Sequence, residues 1–107
     1  MIIRSKHDGK AAPYAVISRK LLQENQLPYE PKCLLLLMLS YPDTWNFNIK
    51  NLADTMQESV ETIRSWLDTL SKFGYFHEDV TLEIGENVLP VAWLVTEYPV
   101  EVKKYDR

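Results

Sequence analysis

The stretch "DTMQESVETIRSWLDTL", residues 54–70, decides how the rest of the chain is read. Within it Val60, Ile63, Leu67 and Leu70 recur at i, i+3, i+7 and i+10, which is a single stripe along an α-helix. Gly74 stands just past that stripe, where a helix C-terminal cap is wanted. On the other side, "IKNLADTM" (49–56) reads as a shorter helix that Asn48 can cap. The two helices are separated only by a tight hinge at Gln57-Glu58.

Toward the N-terminus, "YEPKCLLLLMLSYP" has Pro31 in a first helical turn and Pro42 closing the far end. The helix between them is apolar almost all round, so it is expected to be the central buried helix, with Cys33 as a small core residue. "DTWNFN" (43–48) is expected to be a short strand carrying Trp45 and Phe47 on one face. "YAVIS" (14–18) is β-favouring and is expected to be a strand. Ser18 then caps a short helix with Leu21 and Leu22 that ends by Pro28. Toward the C-terminus, "YFHEDVTLEI" and "VLPVAWLVTEYPV" are β-rich, and "GEN" (85–87) between them makes a hairpin turn. Pro90 puts the second strand at an edge or a bulge there.

A chain of 107 residues is one domain, and 46% hydrophobic residues are enough to bury a core. One cysteine excludes an internal disulfide. The apolar run from Cys33 to Leu39 is too short to span a bilayer, and "MIIRSKHDGK" does not read as a secretory signal. The expected location is the cytoplasm, with no membrane partner. The formal net charge of −3 does not favour nucleic acid by itself, but the charge is polarised. Residues 1–20 hold Arg4, Lys6, Lys10, Arg19 and Lys20 against Asp8, a net of +4. Residues 73–102 hold Glu78, Asp79, Glu83, Glu86, Glu97 and Glu101 with no Lys or Arg, a net of −6.

The element order is thus strand, helix, helix, strand, helix, turn, helix, hairpin. That is an α+β winged helix-turn-helix: a three-helix core, an extra short helix, and a small antiparallel sheet with a C-terminal wing hairpin. The expected division is a basic arm at 1–13, the winged-helix domain at 14–98 and a tail at 99–107. "LSYPDTWNFNIKNLADTM…VETIRSWLDTLSKFGYF" resembles the winged helix-turn-helix domain of phage and plasmid replication proteins from low-GC Gram-positive bacteria, the N-terminal domain of DnaD-like initiators. Leu39-Ser40, Pro42-Asp43, Trp45, Leu52-Ala53, Ile63-Arg64, Leu67, Leu70 and Gly74-Tyr75 carry the resemblance, which covers about residues 14 to 80. It implies DNA binding in a replication or regulatory system. The chain departs from the pattern at the hinge, where Gln57-Glu58 replaces basic or glycine residues, and at Trp66, where a small residue is usual.

The second helix of such a pair normally brings Lys or Arg to phosphate. Residues 57–70 instead bring Glu58, Glu61 and Asp68 against a single Arg64. Stepping about 100° per residue from the apolar stripe puts Glu58, Glu61, Thr62, Ser65, Asp68, Thr69 and Lys72 outward, with Arg64 and Trp66 on the shoulders. Two functions compete. If duplex DNA is the partner, the contacts are Gln57, Ser59, Thr62, Arg64, Ser65, Thr69 and Lys72, together with Lys6 and Lys10 of the arm. If the partner is a basic protein surface, such as the nucleic-acid groove of a nuclease or replication factor that the chain inhibits, the contacts are Glu78, Asp79, Glu83, Glu86 and Trp66. A homodimer is a further expected state of either. No Cys or His pair has metal spacing, and the "HED" cluster at 77–79 places neighbours on opposite faces of a strand. No glycine-rich phosphate loop is present. The chain therefore reads as a non-enzyme without cofactor or metal.

Overall fold

The computed structural model of the protein describes residues 2–3, 16–42, 46–100 and 103–104. Eight elements follow in order: β1 (Ile2–Ile3), α1 (Arg19–Leu22), α2 (Tyr29–Leu39), α3 (Ile49–Met56), α4 (Val60–Lys72), β2 (Phe76–Ile84), β3 (Asn87–Thr96) and β4 (Lys103–Lys104). The architecture is α+β and is that of a winged helix-turn-helix. Helices α2, α3 and α4 make the core, α1 is the extra short helix, and the β2–β3 hairpin is the wing.

The helices form for local reasons. Ser18 Oγ accepts from the Leu21 amide at 3.4 Å and opens α1. Asn48 Oδ1 accepts from the amides of Lys50 (2.8 Å) and Asn51 (3.4 Å) and opens α3. Apolar side chains at Leu34, Leu35, Met38 and Leu39 of α2 meet Leu52 and Ala53 of α3 and Ile63, Leu67 and Leu70 of α4 in one buried cluster. None of the described helices is long and apolar enough to cross a membrane.

Helix α2 is central but not buried all round. Its inward face runs through Pro31, Leu34, Leu35, Met38 and Leu39. Cys33 lies off that face and is exposed, so the core placement expected for it is corrected. Lys32 takes the inward direction instead and is only 8% exposed. Its ammonium donates to the carbonyls of Leu22 (3.3 Å) and Glu24, which lie at the end of α1 and just past it. A buried ammonium needs such acceptors, and here they are the carbonyls that the short helix cannot satisfy itself.

The sheet has order β1-β3-β2-β4. β2 and β3 pair antiparallel from Phe76↔Val95 to Ile84↔Asn87 around a two-residue turn, Gly85-Glu86. Gly85 has φ +61° and Glu86 has no positive φ, the type II′ pattern that matches strand twist. Asp79 sits between the pairs Glu78↔Trp93 and Val80↔Val91 with φ +52°. β1 joins β3 in parallel at Val95 and Thr96, and among the described residues no strand lies on that side of Pro90, where the missing amide is tolerated. β4 joins β2 at Val80 and Thr81. The two short outer strands therefore come from the stretches read as arm and tail.

Two expected strands do not form where they can be followed. Val16–Ser18 is irregular, because Ser18 is used as a cap; residues 14–15 lie outside the described residues. Residues 46–48 are likewise irregular and lead into the Asn48 cap, with 43–45, including Trp45, outside the described residues. Phe47 still faces inward. Its ring stacks on Trp93 (6.4 Å) and meets Tyr41 edge-on (5.8 Å), while Trp93 meets Phe76 edge-on (5.1 Å). The apolar stripe of α4 also starts later than expected. Val60, the first helical residue, is exposed.

Both α3 and α4 end in the same cap. Glu58 N–H donates to Ala53 O (2.9 Å) and Gln57 N–H to Asp54 O (3.3 Å); Tyr75 N–H donates to Leu70 O (3.0 Å) and Gly74 N–H to Ser71 O (3.1 Å). These are Schellman motifs with left-handed Gln57 (φ +57°) and Gly74 (φ +88°). The exposed hinge tolerates Gln57. At Gly74 a Cβ would lie 3.1 Å from Val100 O and 3.2 Å from Val100 N, both backbone atoms. Gly74→Ala is therefore expected to destabilise the fold by about 1–2 kcal/mol from the left-handed conformation alone, with the Val100 clash in addition. Chemical denaturation of the two proteins measures this, and an unchanged midpoint would contradict it.

Candidate nucleic-acid interface

The hinge and α4 present a continuous polar line to solvent. Glu58, Glu61, Ser65, Asp68 and Lys72 recur at three- and four-residue steps, and all are exposed. Thr62 and Thr69 are half-buried beside it. Several of these side chains already have structural work. Ser59 is the N-cap of α4: its Oγ accepts from the Thr62 amide at 3.1 Å and lies 2.8 Å from Thr62 Oγ1. Thr69 Oγ1 donates to Ser65 O at 3.2 Å. Glu61 in the first turn and Lys72 in the last each complement the helix dipole, which gives one of the unexpected acids a purely local reason. Gln57, Ser65 and Lys72 remain outward and exposed. Lys6 and Lys10 lie outside the described residues.

The wing stands against α4 through one ion pair. Arg64 Nη1 donates to Glu78 Oε1, with the two side chains 41% and 35% exposed. A cation expected to meet DNA and an acid expected to meet a basic protein thus face each other. Neither helical nor strand periodicity reveals this, because the contact joins residues 14 apart across the Gly74 turn. Trp66, on the other shoulder, is half-buried and packs against the core.

The acidity of the wing is redistributed by the fold. Glu97 is 3% exposed and belongs to the interior, not to the wing surface. Asp79, Glu83 and Glu86 are exposed. Lys103 and Lys104, read as part of a separate tail, are paired to the backbone of β2 at Thr81 and Val80, the acidic strand itself. Beyond that pairing the hairpin projects, and its tip carries Val88 (60% exposed) and Leu89 (42% exposed). The sequence reading also passed over Lys50, which is exposed in the first turn of α3. In helix-turn-helix docking the first helix of the pair crosses the phosphate backbone, so a cation just after the Asn48 cap was the signal to look for.

The wing is anchored by the Gly74 carbonyl, which accepts from Val100 N–H at 3.0 Å and from Thr96 Oγ1 at 3.3 Å, with His77 Nε2 at 3.0 Å. An open groove of about 540 Å³ runs alongside, lined by Lys72, Gly74, His77 and Val100 among others. It is a surface furrow without the enclosing apolar walls of a small-molecule site. The Tyr75 phenol next to the cap is held above its ordinary pKa by burial and, secondarily, by Glu24. Among the described residues no group of three or more His, Cys, Asp or Glu is arranged to hold a metal ion.

Residues 25–75 match the model of a helix-turn-helix domain family. The matched segment contains α2, α3 and α4 and stops where the sheet begins. No curated protein and no solved structure matches the chain.

The double use of Ser59 can be separated by substitution. Ser59→Ala is expected to cost about 1 kcal/mol of stability, the usual value of a lost N-cap, whereas Ser59→Asp keeps it because Asp caps equally well. Thermal unfolding of both variants measures this. A Ser59→Ala protein as stable as the parent would show that the cap contributes nothing.

Proposed function

We propose that the chain is a DNA-binding winged-helix module serving a phage or plasmid replication or regulatory system. The observation that carries this reading is the helix-turn-helix segment at residues 25–75, whose second helix turns Ser65, Lys72 and the half-buried Thr62 outward beside a projecting hairpin. Hydroxyl side chains reach phosphates and base edges alike, and Gln57 at the hinge can pair bidentately with adenine. Besides Arg64, which is paired with Glu78, Lys72 and Lys50 are the described cations nearest this surface in sequence, and Arg19 and Lys20 are exposed on α1. The phage or plasmid setting rests on the resemblance carried by Leu39-Ser40, Leu52-Ala53, Ile63-Arg64 and Gly74-Tyr75.

A module with few cations owes little of its affinity to counterion release. Duplex binding is expected at low salt with a shallow salt slope, and Lys72→Ala is expected to flatten it further by about 0.9, one phosphate contact on duplex DNA. A fluorescence-anisotropy titration against duplex and single-stranded DNA at low and moderate salt checks both statements. Absence of binding at low salt, where the phosphate contribution is greatest, would remove the DNA reading.

A second reading is favoured by a specific observation: the wing tip joins exposed Val88 and Leu89 to exposed Glu83 and Glu86. Glu83 lies directly opposite Val88 in the ladder. Apolar side chains rimmed by acids suit a basic protein surface better than a phosphate backbone. On this reading the chain binds and inhibits a nucleic-acid-binding protein through Glu78, Asp79, Glu83, Glu86 and Trp66. Glu83→Lys combined with Glu86→Lys separates the two. Stronger non-specific DNA binding is the outcome if the wing lies along DNA. Slower association with a basic partner is the outcome if the acids steer it, because rim charges act mainly on the on-rate.

A further inference from the structure

We infer that Glu78 is a specificity-determining residue, which withholds Arg64 from backbone phosphates and so suppresses sequence-independent binding. The inference rests on the DNA reading above and adds to it a role for a wing carboxylate that acts through Arg64.

Three observations carry it. Arg64 is one of two cations in α4, with Lys72, and the one in the middle of the helix. It lies on the shoulder that faces the wing, where Glu78 of β2 accepts from its Nη1. The pair is neither buried nor fully in water, so Arg64 is accessible to a polyanion while already engaged by an anion.

The consequence follows from simple electrostatics. A phosphate a few ångströms from an isolated guanidinium gains Coulomb energy and releases a counterion. A phosphate approaching the Arg64–Glu78 pair meets two charges that nearly cancel, with the carboxylate repelling it. The sequence-independent part of binding therefore loses one contact. The contacts that Ser65, Thr62 and Gln57 make to base edges are not reduced. Discrimination between sequences rises because the shared background falls, a case of specificity obtained by a built-in repulsive element. Glu78 can do this because the Gly74 turn fixes β2 against α4. An acid on a free loop would yield to phosphate.

The test uses the whole chain and a random-sequence duplex, with affinity measured from 50 to 200 mM salt for the parent, Glu78→Gln, Arg64→Gln and the double variant. Glu78→Gln keeps the side-chain shape and removes the charge. It is expected to bind more tightly than the parent, with a slope steeper by about 0.9, so that its affinity falls by a further factor of about 3.5 across that fourfold salt range. Arg64→Gln alone is expected to leave the slope as in the parent, and adding it to Glu78→Gln should return the slope to the parental value. A charge-swapped protein, Arg64→Glu with Glu78→Arg, retains the pair and should keep the parental slope; it also serves if Glu78→Gln does not fold. The inference is overturned if Glu78→Gln binds no more steeply than the parent, or if Arg64→Gln flattens the slope equally in both backgrounds. If the parent and every variant fail to bind at 50 mM salt, the DNA reading itself fails and this inference falls with it.

Discussion

The carbonyl of Gly74 is the point on which the arrangement of helix and wing depends. It receives the Val100 amide and the Thr96 hydroxyl, and His77 reaches it from β2, while the amide of the same residue closes the last turn of α4 on the Ser71 carbonyl. One oxygen thus ties together the end of α4, both strands of the hairpin and the chain that leaves the sheet. The left-handed conformation at Gly74 turns the chain back at this point, and the absence of a Cβ lets the Val100 backbone approach. Given that turn, β2 must start beside α4, and Glu78 comes within reach of Arg64.

That placement changes how the charges are to be counted. Along the chain, residues 1–20 are basic and residues 73–102 are acidic. In the fold, Glu78 is matched by Arg64 and Glu97 is enclosed. What remains on the wing is a smaller acidic area with an apolar tip. An electrostatic argument about partners has to start from these neighbours, because interactions between exposed charges fade within about 10 Å and only nearby charges matter.

The core shows a comparable exchange of roles. A helix as apolar as α2 leaves its sequence little power to say which side faces in. The inward places go to Leu34, Leu35, Met38 and Leu39, and also to the methylenes of Lys32, whose ammonium satisfies the carbonyls that α1 leaves open. Cys33 is displaced to the surface. The short α1 is held to the rest of the molecule by this ammonium and by Leu21 in the core.

The sequence by itself determined what local chemistry controls. The stripe Ile63, Leu67 and Leu70, the Asn48 and Ser18 caps, the stop at Gly74 and the turn at Gly85 were all legible, because caps, period and positive φ depend on residues only a few positions apart. From these the order of helices and the hairpin followed, and with them the winged helix-turn-helix. The outward face of α4 followed as well, since helical geometry assigns it once the stripe is known. Tertiary structure decided the rest. Pairing of Ile2–Ile3 with β3 and of Lys103–Lys104 with β2 joins the chain's ends to its middle, and a two-residue strand has no period to read. The inward turn of Lys32, the enclosure of Glu97 and the meeting of Arg64 with Glu78 depend on which surfaces are brought together in space. Spacing along the chain records none of that, because a side chain's partner is set by the packing of whole elements rather than by its neighbours in sequence.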